Sequence, residues 1–154
     1  MNLSEDQAQA VRQRYGNSLS RILRGENIEV LEQKSWWKEL FVADAAHREI
    51  CLQKGLSRVE KRVLLAHALG HHFLHRGNRF YFAETDPQAL ETQEREAWEF
   101  AAFLLIPTED LAPLAHRPLS ALARHFQVPL DVLRLRWMLW AEAQTPRSDS
   151  PTSQ

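Results

Sequence analysis

The chain has 154 residues, 44% of them hydrophobic and 25% charged, which suits one core-bearing globular domain and is too short for a multidomain assembly. Nineteen basic against twenty acidic residues leave a net charge of −1, so the overall balance points neither to nucleic acid nor to an anionic membrane surface. No apolar run approaches the roughly 18 residues of a membrane span, and the opening Met1-Asn2-Leu3-Ser4-Glu5-Asp6 is too polar for a secretory signal. A cytoplasmic protein without a membrane partner is therefore expected. Cys51 is the only cysteine, which excludes an internal disulfide and a cysteine-rich zinc knuckle, so a bound metal must be held by histidines and carboxylates.

In chain order, Ser4 with Gln7 reads as a capping box ahead of Ala8, Val11, Tyr15 and Leu19, predicting a first helix over 4–23. Arg24-Gly25-Glu26-Asn27 breaks it, and three short strands follow around 28–32, 40–43 and 49–52, expected to form one small antiparallel or mixed sheet. Trp36 and Trp37, between the first two, read as core or sheet-edge residues. Ser57 with Glu60 is a second capping box, opening a helix from Arg58 to about His75. Asp86-Pro87 starts a long segment that Pro107 stops, and its half from Trp98 to Ile106 is apolar enough to be buried. Helices over 118–126 and 130–142 flank Gln127-Val128-Pro129 and look like a helix-turn-helix pair. Residues 1–143 are read as one domain and 144–154, rich in Pro, Ser, Thr and Asp, as a disordered tail.

The strongest chemical signal is His67-Ala68-Leu69-Gly70-His71. Two histidines four apart on a helix stand about 6 Å apart in rise and about 40° in rotation, so both rings can grip one zinc ion. The metalloprotease form of the motif has Glu after the first His, where it takes a proton from the attacking water; here that place is held by Ala68. Gly70 costs about 1 kcal/mol in a helix interior, which points to a close backbone approach. Residues 84–110 carry eight acidic side chains against one Arg, giving a carboxylate every chance of meeting the histidines without choosing one. Glu94, Glu96 and Glu99 all stay open on this ground.

Leu64-Leu65-Ala66-His67-Ala68-Leu69-Gly70-His71-His72-Phe73-Leu74-His75, followed by Glu94-Arg95-Glu96-Ala97-Trp98-Glu99-Phe100-Ala101-Ala102-Phe103-Leu104-Leu105-Ile106-Pro107, resembles the two motif blocks of the ImmA/IrrE family of zinc metallopeptidases. The resemblance implies an α+β, zincin-like domain of the minigluzincin type, mostly helical, with the small sheet beside the histidine helix. It implies that His67, His71 and Glu94 hold Zn2+, with Mn2+ as the alternative ion, and that His75, His72 and Glu96 serve substrate or support the ligands. It also implies a protein substrate, a helix-turn-helix transcriptional repressor whose cleavage derepresses stress or mobile-element genes.

Two residues depart from the family pattern. Ala68 removes the general base but, being the best helix former, leaves the helix undisturbed, so the chain is expected to be an inactivated form of the peptidase of the kind made to trap substrate. The alternative is a natural pseudoprotease acting as a non-catalytic repressor-binding module. Trp98 stands where the family has Asn or Asp, and its indole N–H donates but cannot accept a proton from a ligand histidine, so a backbone carbonyl or another carboxylate must do so. The C-terminal pair carries four Arg and one Asp over 111–140, yet its second helix is too apolar to face a DNA groove; direct DNA binding is not expected, and a small DNA-binding regulator ranks third. The strand at Glu49-Ile50-Cys51-Leu52 is expected to border the cleft and align an extended substrate by strand addition.

Overall fold

Helix α1 runs Leu3–Tyr15 and α2 runs Leu19–Gly25, in place of one helix over 4–23. The break has local causes: Gly16 takes φ 77° at the end of α1, and the Ser18 hydroxyl caps the new start by accepting from Arg21 N–H. The cap of α1 is Asn2 rather than Ser4, its Oδ1 accepting from Ser4 N–H at 2.8 Å and Glu5 N–H at 3.2 Å. Ser4 is buried and its hydroxyl donates instead to the Glu96 carbonyl, 3.1 Å away. The computed structural model describes residues 2–36, 38–43, 48–75 and 87–145, so Trp37, Asp86 and the tail beyond Thr145 lie outside the described residues.

Strands β1 (Glu29–Gln33), β2 (Glu39–Ala43) and β3 (Arg48–Gln53) form one sheet in the order β1-β3-β2. β2 pairs antiparallel with β3, whereas β1 pairs parallel with it, so the sheet is mixed and not purely antiparallel. The reason is topological. Two successive reversals leave the first and third strands pointing the same way, and inserting β3 between β1 and β2 makes that pair neighbours. Ile50, Cys51 and Leu52 are buried, as expected of the central strand, while Trp36 is 91% exposed and belongs to neither core nor sheet.

Helix α3 spans Arg58–Leu74 and begins with the capping box foreseen at Ser57 and Glu60. Helix α4 spans Pro87–Leu105, with Ala97 and Phe100 through Ile106 buried. A Cβ added to Gly70 would lie 2.7 Å from the Ala97 carbonyl oxygen and 2.8 Å from its Cα, so the glycine is what lets the two central helices approach backbone to backbone. A one-turn helix α5 (Thr108–Leu111) leads to α6 (Leu119–Phe126) and α7 (Leu130–Gln144). Residue 144, assigned to the tail by composition, still belongs to α7.

Pro107 cannot continue α4, so the last carbonyls of the helix need partners from elsewhere. Arg12 of α1 donates to Phe103 O at 2.7 Å, and Arg136 of α7 donates to Ile106 O at 2.7 Å. Two arginines from opposite ends of the chain thus cap one buried helix end, where positive charge also suits the helix dipole. Arg62 of α3 similarly donates to Phe126 O at 2.7 Å, tying the end of α6 to the histidine helix. The architecture is α+β and mostly helical, with α3 and α4 at its centre and the sheet against α3.

Candidate metal centre

His67 and His71 project from the same face of α3, one turn apart, with ring centroids 4.8 Å apart and planes at 82°. Glu94 reaches them from α4: its Oε1 lies 2.5 Å from His71 Nε2 and its Oε2 3.3 Å from His67 Nε2. One ligand atom from each of the three residues falls within 4.8 Å of the others. Both rings are buried, but the Glu94 side chain is 42% exposed, so the cluster opens to solvent on the α4 side. Of the three carboxylates left open by the sequence, Glu94 is the one between the Nε2 atoms. Glu96 Oε1 pairs with His75 Nε2 at 2.9 Å, and Glu99 receives a weak contact at 3.4 Å from the Asn2 side chain.

Each clustered ring is held at its far nitrogen as well. His71 Nδ1 lies 3.2 Å from His75 Nδ1, and His75 in turn meets Glu96, forming a His71–His75–Glu96 chain that leaves His71 Nε2 facing Glu94. His67 Nδ1 lies 2.5 Å from Glu39 Oε1, at the start of β2. Trp98 does not hydrogen-bond this ring; it stacks on it, centroids 4.1 Å apart and planes 23° from parallel. Glu39 is the carboxylate that the donor-only indole made necessary. No sequence signal located it, because it acts across 28 positions from another element.

The remaining residues sort by face. His72 points away from the cluster to Glu26, 2.8 Å distant, whose other oxygen accepts from Tyr15 OH. Burial opposes the Glu26 charge, but hydrogen bonds from His72 and Tyr15 and the nearby His72 and Arg48 charges outweigh it and hold the carboxyl below its ordinary value. Ala68, one residue past His67, is fully buried within the apolar core. The Cys51 thiol is buried and donates to Glu49, two effects that push it up to about 11 and leave it protonated rather than nucleophilic. β3 lies between β1 and β2, with both edges paired, so it cannot accept a substrate strand. The outer edge beside the histidines belongs to β2.

The electrostatics state what the cluster lacks. Burial works against a charged His67, yet the hydrogen bond to Glu39 and the charges of Glu39 and Glu94 raise it to about 9; burial likewise opposes a charged Glu94, but His67 and His71 hold it well below the usual carboxylate range. His67 Nε2 is buried and makes no aligned hydrogen bond despite its 3.3 Å approach to Glu94. An orphaned imidazole nitrogen aimed at a second imidazole and a carboxylate is a donor set that fits zinc, two nitrogens and one oxygen with a side left open.

A profile of the family Peptidase M78, described as the IrrE N-terminal-like domain, matches residues 24–138, which include all three strands, the histidine helix, α4 and most of α7. Comparison with curated proteins found no match. With the family profile covering most of its length, the chain belongs to the IrrE-type M78 metallopeptidase family.

Proposed function

We propose that this chain is a zincin-like zinc protein that binds a helix-turn-helix transcriptional repressor in the cytoplasm, and that with Glu in place of Ala68 it cleaves that repressor. The observation that carries the reading is the convergence of His67 Nε2, His71 Nε2 and the Glu94 carboxylate, with the first of these left unsatisfied. His67, His71 and Glu94 would hold zinc, which would supply Lewis-acid polarisation of a carbonyl and lower the pKa of a water; manganese is the alternative ion.

The chain's own residues account for the rest. β2 offers its outer edge for an extended substrate segment, and Glu94 leaves the site open on the α4 side. Ala68 carries no group that can accept a proton, and the Glu39 carboxylate is already committed to His67 Nδ1. The α6–α7 pair supports the core, since Leu122, Val132, Leu133 and Arg136 are buried.

The test compares this chain with Ala68→Glu, both loaded with zinc and mixed with a repressor encoded beside the gene, with and without a chelator. Gain of chelator-sensitive cleavage by about 10²–10⁴-fold is expected for a restored general base. One observation favours the second reading, a non-catalytic repressor-binding module: Ala68 is sealed in the apolar core, where a carboxylate is costly. Under that reading Ala68→Glu loses stability, gains no cleavage, and the unaltered chain still holds the repressor.

A further inference from the structure

The metal reading rests on three residues, but it places a requirement on a fourth. A neutral imidazole that offers Nε2 to a metal must carry its proton on Nδ1, and that proton needs an acceptor where the ring is buried. For His67 the neighbour on α4 is Trp98, which covers the face of the ring and has only an N–H to donate. The acceptor is Glu39, 2.5 Å from Nδ1 and with its side chain only 10% exposed. Its position is fixed independently of the histidine. Glu39 pairs with Leu52 in the β2–β3 ladder, and the preceding Lys38 accepts a bond at its carbonyl from Gln53 N–H at 2.8 Å. Lys38 Nζ also reaches Glu60 of α3 at 3.3 Å. Glu60 and His67 are seven residues apart, two turns along one side of the helix, so Lys38 and Glu39, at the entry to β2, moor it to α3 at two points.

We infer that Glu39 is the positioning residue for His67: it fixes the ring in the Nδ1–H form and aims Nε2 at the metal position, while Trp98 holds the ring plane. The inference rests on the zinc reading above and adds that the sheet, through the first residue of β2, sets metal affinity. A carboxylate on the far nitrogen also makes Nε2 a stronger donor.

The experiment measures zinc dissociation constants for this chain, Glu39→Gln and Glu39→Ala by competition with a chromophoric chelator, alongside thermal unfolding of each. Glu39→Ala should bind zinc about 10–100-fold more weakly, the usual cost of losing such a partner. Glu39→Gln should recover most of that loss, because its amide oxygen accepts the same N–H. Nitrogen-15 NMR of the zinc forms should show the His67 proton on Nδ1 in the parent and in Glu39→Gln. Should Glu39→Ala fail to fold, Glu39→Gln decides: a His67 that carries no Nδ1 proton in its zinc form overturns the assignment. A folded Glu39→Ala that holds zinc as tightly as the parent also overturns it while leaving the zinc reading intact. A parent that binds no zinc overturns both.

Discussion

Arg136 is 1% exposed, an unusual place for a guanidinium, and its surroundings explain it. It donates to Ile106 O and to Thr108 Oγ1, each at 2.7 Å, and lies 4.6 Å over the Phe103 ring. Burial, opposed by the charges of Glu5 and Glu109 and aided by Arg12, lowers its pKa to about 10, so it stays charged at neutral pH. Removing it leaves the Ile106 carbonyl at the end of α4 without its donor and opens a hole between α4 and α7. Arg136→Ala should therefore lose at least about 1–3 kcal/mol in urea unfolding, the range for leaving a buried acceptor unsatisfied. Arg136→Lys should recover only part, since an ammonium cannot reproduce the planar fork. A loss under about 1 kcal/mol for the alanine variant would mean that water replaces the guanidinium at no great cost.

At the scale of elements, the crossing of α3 and α4 decides where Glu94 sits, and Gly70 decides the crossing. Alanine improves an isolated helix by about 1 kcal/mol over glycine, yet here its Cβ meets the Ala97 carbonyl oxygen at 2.7 Å and Cα at 2.8 Å. Overpacking of this kind costs about 1–3 kcal/mol, so Gly70→Ala should destabilise the chain and, by moving α4 off α3, weaken zinc binding as well. Adding Ala97→Gly should not rescue it, because the two closest contacts are to backbone atoms. Equal stability of Gly70→Ala and parent in urea, with zinc affinity retained, would show that the helices separate freely.

For the whole molecule, the question is whether α6 and α7 form a separable module. Leu122, Phe126, Val132 and Leu133 join the same apolar cluster as Ile50, Leu69 and Phe100, and Arg136 caps α4. Deleting 118–145 would uncover that cluster and free the Ile106 carbonyl. The truncated chain should lose its cooperative urea transition and its zinc site together, as one folding unit does. A truncated chain that keeps both would make the helical pair an appendage.

What the sequence determined by itself is what depends on neighbours within one or two turns. The Ser57–Glu60 capping box, the i, i+4 placement of His67 and His71, the stop at Pro107 and the reason for Gly70 were all legible, because helix caps and helix faces are set by spacing along the chain. The two motif blocks carried the family and named Glu94, although composition left Glu96 and Glu99 equal to it. Local signals also mislead: Ser4 has the spacing of a cap but points into the core, and the apolar spacing through Leu19 hides the break at Gly16. Tertiary structure alone decided the direction of β1 against β3, the arrival of Glu94 across 23 positions at His71, the pairing of His75 with Glu96, and the seating of Glu39 on His67. These depend on which strand is inserted where and on how closely two helices cross. Both are settled by burial of side chains far apart in sequence, and a carboxylate has no local pattern that announces which distant histidine it will meet.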